Sequence, residues 1–121
     1  MKYKFIGLIL ASTLVLTACK TAKNEVVSNA SIKKAITDPN VTFVDVRTPE
    51  QFANGSIENA INVPLAEIQK NPTSLKGKKV VVFCNKGIQA DEAVKILKKN
   101  GVDAYDGTSI QNIKAVQEST L

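Results

Sequence analysis

Residues Lys79 to Phe83, Lys-Val-Val-Val-Phe, run into Cys84 without the polar alternation of a half-exposed strand. A β-branched run that is apolar on both faces has to be covered on both faces, which is the situation of an inner strand in a parallel sheet with helices packed on each side. The segments around it agree with that demand. Val41 to Val46 and Ala60 to Pro64 read as strands, the second stopped by its proline, and Val102 to Tyr105 reads as a last strand. Between them fall helical signals. Ser31 is placed to cap a short helix over Ile32 to Thr37, and Thr48-Pro49-Glu50-Gln51 carries the cap, first-turn proline and return partner of a capping box. Leu65 to Lys70 makes a turn or two. Gln89 to Asn100 places Ala90, Ala93, Val94 and Leu97 on one stripe, with acids in its first turn and lysines in its last. Ser109 to Gln117 closes the chain as a helix. Strands alternating with helices predict an open parallel α/β sheet with right-handed crossovers.

The domain is expected over residues 31–121, because the first thirty residues read differently. Met1 to Lys4 supply a basic start, Phe5 to Leu16 an apolar run too short to cross a bilayer comfortably, and Leu16-Thr17-Ala18-Cys19 small residues before a cysteine. That order resembles a bacterial lipoprotein signal, 1–18, followed by a polar tether, 19–30. The resemblance implies lipidation at Cys19, export, and attachment to the periplasmic face of the cell envelope. With Lys20 rather than aspartate next to the lipidated residue, outer-membrane sorting is implied in a double-membraned bacterium. An ordinary signal or an uncleaved anchor is the alternative. Loss of Lys2 and Lys4 leaves fourteen basic residues against eleven acidic ones, so the domain is only mildly basic, and no nucleic-acid partner is expected.

If lipid occupies the sulfur of Cys19, Cys84 has no partner in a chain of two cysteines. A lone thiol in an exported protein is either buried or kept for reactivity. The chain has no histidine, so an imidazole base is unavailable and no metal site is supported. After Cys84 the chain makes a short loop, Asn85-Lys86-Gly87, and enters a helix. Amides from Asn85 to Ala90 then lack strand or helix partners, can turn toward the sulfur, and together with the Lys86 ammonium favour thiolate over thiol. Asp45 and Arg47 also fall at a strand end, on the edge where open α/β sheets gather their sites. Arg47 is expected mainly to pair with Asp45 or Glu50 or to staple a loop, with substrate contact as the alternative. Gln89 reads as a donor to a bound sulfur or as a solvated side chain.

Asp45-Val46-Arg47, then Glu50, Phe52 and Gly55, then Ala60-Ile61-Asn62-Val63-Pro64, and finally Cys84-Asn85-Lys86-Gly87-Ile88-Gln89-Ala90 resemble, in order, the signatures of the rhodanese, or thiosulfate sulfurtransferase, family. The small exported single-domain type is the most similar. The resemblance implies an α/β fold of rhodanese type and a catalytic Cys84 that carries sulfur as a persulfide. It further implies donor and persulfide binding by Asn85 to Ala90, an anionic sulfur donor such as thiosulfate, a thiol or cyanide acceptor, and no cofactor. Ile88 and Gln89 stand where many relatives have a loop arginine, Ser56 stands where they often have histidine, and Asp106-Gly107-Thr108 replaces a double glycine. A cysteine phosphatase or arsenate reductase would need a longer loop closed by arginine, and Cys84 to Asp91 contains none. A non-catalytic, lipid-tethered binding or sulfur-carrier module is the other reading.

The signal reading has a direct test. Cells making the full chain and fed an alkyne-tagged fatty acid are expected to label it, and Cys19→Ser is expected to abolish the label. A labelled Cys19→Ser protein overturns lipidation at that residue.

Overall fold

A computed structural model of the chain describes residues 30–121, so the signal, the tether up to residue 29 and Cys19 lie outside the described residues. Residues 30–36 form helix α1, which therefore begins a residue or two before the expected start. There follow β1 (Thr42–Asp45), α2 (Pro49–Ala53), β2 (Ile61–Asn62), α3 (Leu65–Lys70), β3 (Lys79–Cys84), α4 (Ile88–Lys99), β4 (Asp103–Ser109) and α5 (Ile110–Ser119). The four strands form one parallel sheet in the order β2-β1-β3-β4. Among the described residues no helix is long and apolar enough to cross a membrane.

The central strand divides the core. Successive residues of a strand point to opposite faces, and β3 is buried from Val80 to Cys84. Val80, Val82 and Cys84 pack with Ile68 of α3 and with Ala90, Ala93, Val94 and Leu97 of α4. Val81 and Phe83 pack on the other face with Ala35 and Ile36 of α1 and Ile113 of α5. Fully burying a Val, Leu, Ile or Phe side chain contributes about 1.5–3 kcal/mol, so two covered faces on one strand anchor the sheet. The Lys79 ammonium adds a pin at the strand's start. It pairs with the Asp38 carboxylate at 2.8 Å and sits 5.4 Å from the centre of the Tyr105 ring.

The last strand departs from the sequence expectation. It runs on through Asp106-Gly107-Thr108 to Ser109, where glycine and aspartate predict a turn. The reason is a bulge: Val82 pairs with Asp106 and Phe83 with Thr108, so Gly107 is the extra residue. Gly107 is buried, and a Cβ there would stand 2.7 Å from a Val81 methyl and 3.0 Å from the Val82 carbonyl oxygen. Only a residue without a side chain lets β4 lie this close to β3.

Gly107→Ala is therefore expected to lower unfolding free energy by about 1–3 kcal/mol, the usual range for an overpacked core. Urea unfolding with an unchanged slope checks it, and a midpoint equal to wild type would show that β4 can shift without cost.

Candidate active site

Asp45 and Cys84 end adjacent parallel strands, which puts them on one edge of the sheet. The chain after each strand is held by the same guanidinium. Arg47 Nε lies 3.0 and 3.1 Å from the two oxygens of Asp45, and its NH2 donates to Asp45 Oδ2 and to the Gly55 carbonyl, both at 2.7 Å. NH1 reaches across to Asn85 Oδ1 at 3.1 Å. The Arg47 amide and the Ser56 hydroxyl also donate to Asp45, at 3.0 and 2.7 Å. The side chains of Asp45 and Arg47 are 0% and 8% exposed, so this is a buried pair with its hydrogen bonds filled. Burial pushes the Asp45 carboxyl up, but the hydrogen bonds from Arg47 and Ser56 outweigh it and hold the group below the usual carboxylate range. Glu50, the other expected partner of Arg47, is exposed and belongs to no ion pair among the described residues.

Cys84 is 2% exposed and shares a face with Val80 and Val82. The residue nevertheless lines a cavity of about 350 Å³ together with Gln51, Asn85, Lys86, Ile88 and Gln89. The Gly87 amide donates to Sγ at 3.0 Å, and the thiol faces the Thr108 carbonyl oxygen at 3.7 Å. The expected ring of donors on the sulfur thus narrows to one direct contact. The reason is the helix start. Gly87 is left-handed at φ 96°, caps α4 without a side-chain hydrogen bond, and turns its own amide back to the sulfur. Among the described residues the amides of Asn85, Lys86, Ile88, Gln89 and Ala90 have no acceptor. Those of Ile88, Gln89 and Ala90 belong to the first turn of a twelve-residue helix, at its positive end.

The expected site residues divide by what they offer. Asn85, Lys86, Ile88 and Gln89 line the cavity, Gly87 contributes its amide, and the Ala90 side chain is buried in the core. Arg47 braces the loop through Asn85. Two contributors went unassigned in the sequence. Gln51 lines the cavity and is held by the capping box with Thr48, a box legible in the sequence whose position opposite α4 is not. Thr108 has φ 68°, uncommon for a β-branched residue, and its methyl would lie 2.8 Å from a Cβ on Gly87. A larger cavity of about 600 Å³ is lined by Asp38, Val41, Glu58 and Leu121, among others, and holds no nucleophilic thiol.

The sheet order, the cysteine at its carboxyl edge and the helix that starts after a three-residue loop define an open parallel α/β domain with its cysteine loop at that edge. The chain belongs to the rhodanese-like domain family, which matches residues 28–113. Thiosulfate sulfurtransferase PspE of Escherichia coli strain K12 is 37% identical over 62 residues, covering 49% of this chain and 60% of that protein. A tRNA uridine(34) hydroxylase of Cronobacter sakazakii is 29% identical over 107 residues, which is 80% of this chain and 31% of that protein. Among solved structures, a rhodanese with anions from E. coli superposes with a TM-score of 0.54 at 30% identity, covering 60% of this chain and 89% of that one. The chain spans less than two thirds of the length of these curated relatives. Family and relatives together support a sulfurtransferase-type function, while the hydroxylase marks a different activity among them.

Arg47→Leu leaves the Asp45 carboxylate buried without its partner and is expected to cost about 3–5 kcal/mol. Arg47→Lys keeps the charge but not the planar fork and should recover only part of it. Because the folded Asp45 carboxyl titrates below its unfolded value of about 3.9, its contribution is complete above that pH. It is lost as pH falls through the lower, folded-state value. Urea titrations from neutral to acid pH are expected to show this loss in wild type and a flatter acid limb in Asp45→Asn.

Proposed function

We propose that the protein transfers sulfane sulfur through a persulfide on Cys84. The observation that carries this reading is the Gly87 amide on Sγ, beside a cavity lined by Asn85, Lys86, Ile88 and Gln89. In the first step the Cys84 thiolate attacks the outer sulfur of thiosulfate or a similar anionic donor. A Cys84–sulfur bond forms, the donor's sulfur–sulfur bond breaks, and sulfite leaves with the electron pair. In the second step a thiol or cyanide attacks the outer sulfur, and Cys84 departs as thiolate. No cofactor is needed for this balance.

The loop accommodates the charge of these states. The neutral thiol can donate to the Thr108 carbonyl, a contact that disappears on ionisation, whereas the Gly87 amide gains strength against a negative sulfur. The persulfide's outer sulfur then extends toward the amides of the α4 start. Lys86, exposed at the cavity wall, supplies attraction for a dianion and pairs with no carboxylate among the described residues. We place the domain at the envelope, held by lipid on Cys19, on the strength of the signal-like order of residues 1–19.

Purified domain mixed with thiosulfate is expected to gain one sulfur by intact mass and to yield thiocyanate on addition of cyanide. Cys84→Ser should do neither. Lys86→Ala should raise the thiosulfate KM roughly threefold or more at low ionic strength. The gap should shrink as the Debye length falls from about 30 Å at 0.01 M to about 8 Å at 0.15 M. No adduct and no thiocyanate would reject the enzyme and favour a binding module, and a salt-independent Lys86→Ala effect would remove Lys86 from donor attraction.

A further inference from the structure

One residue is shared by two cavities at the carboxyl edge of the sheet. Gln89 lines the Cys84 cavity and also a second cavity of about 290 Å³, bounded by Val46 at the end of β1 and by Pro64, Leu65 and Ala66 at the start of α3. The two differ in chemistry. The first is lined by Lys86 and by the cysteine and the residues that follow it. The second has one ionisable neighbour, Arg47, whose guanidinium is committed to Asp45, Asn85 and Gly55. Its remaining walls are hydrocarbon and neutral polar groups.

The groove is braced. Val63 and Leu65 amides donate to the Asp45 and Val46 carbonyls at 3.0 and 3.1 Å, and the Asn62 side-chain amide donates to the Asp45 and Arg47 carbonyls at 2.9 and 3.0 Å. Gln69 meets Glu92 at 3.3 Å, joining α3 to α4. Thiosulfate and cyanide have no hydrocarbon to place in such a groove. An organic thiol has, and its carbon skeleton must lie beside the persulfide while its sulfur attacks.

We propose that this groove, which shares Gln89 with the Cys84 cavity, receives the uncharged hydrocarbon part of an organic thiol acceptor. The inference rests on the sulfur-transfer reading and names the acceptor class for it. The acceptor thiolate bonds to the outer sulfur, the bond from that sulfur to Cys84 breaks, and the products are the acceptor's persulfide and the Cys84 thiolate.

The test loads Cys84 with inorganic polysulfide, confirms the adduct by mass, and follows its discharge by straight-chain thiols from ethanethiol to pentanethiol and by cyanide. The discharge rate is expected to rise roughly threefold per methylene, as burial of hydrocarbon predicts. Ala66→Phe, or Gln69→Phe as a second filler at an exposed position, should flatten the series and leave cyanide discharge unchanged. A parallel series of N-alkylmaleimides on the unloaded thiol, each rate normalised to that with free cysteine, reads the groove without any sulfur transfer. If no persulfide forms but the maleimide series rises and the fillers flatten it, the groove stands and the sulfur-transfer reading falls. A series flat in wild type, or a rise that neither filler changes, overturns the groove.

Discussion

Everything at the carboxyl edge of the sheet hangs on the Asp45–Arg47 pair. Two fully desolvated charges are costly unless every donor and acceptor finds a partner, and here the guanidinium finds three: a carboxylate on its own strand, the Gly55 carbonyl after α2, and Asn85 after β3. Ser56 and the Arg47 amide complete the carboxylate. The network therefore fixes the relative positions of three loops that no strand pairing connects. Its value is less in net stability than in geometry: Asn85 opens the cysteine loop, and a fixed Asn85 gives the following residues a fixed origin.

From that origin the loop reaches its helix in one turn. Gly87 takes a left-handed conformation, so that its amide faces back to Sγ while its carbonyl accepts from Asp91 at 2.9 Å as the first bond of α4. One residue thus serves both the helix and the sulfur. A side chain at this position is excluded twice, by φ and by the Thr108 methyl. Most of the amides left over are tolerable because Asn85, Lys86, Ile88 and Gln89 are exposed residues rather than parts of the packed core. A buried donor without an acceptor would cost about 1–3 kcal/mol, whereas a donor at an open wall keeps water until an anion replaces it.

Much of this was legible in the sequence because it rests on local rules. The two-faced β3 run, the α4 stripe, the Thr48 capping box and the cysteine-loop-helix order each depend on residues within a dozen positions of one another, and each stands in the structure as read. The pairing of Asp45 with Arg47 is also local, two residues along one strand end. What could not be read depends on contacts distant in the chain. Arg47 meets Asn85 thirty-eight residues away, and the choice of Asp45 over Glu50 follows from burial, since Asp45 ends β1 inside the core while Glu50 lies on the exposed first turn of α2. Ser56 reads as a departure from the family pattern, yet its hydroxyl supplies a hydrogen bond to Asp45. The continuation of β4 through Asp106-Gly107-Thr108 defeats propensity altogether. Glycine there marks close approach to Val81 and Val82, not a turn.

That bulge decides what Cys84 faces. Side chains along β3 alternate, so the cysteine belongs by register with Val80 and Val82, as core. A regular β4 would continue the pairing Val82 with Asp106 into Phe83 with Gly107. The extra residue shifts it to Phe83 with Thr108, and the strain of a positive φ at Thr108 sets that residue's carbonyl against Sγ and its methyl against Gly87. Backbone strain of this kind persists only where the surroundings over-determine it, and here they do: Ser109 caps α5 through the Asn112 amide, and the Asn112 side chain holds the Gly107 carbonyl at 3.0 Å. The cysteine is thus packed like a core residue on the strand side and contacted by polar backbone on the loop side. A thiol held in this way is positioned by the fold from both sides.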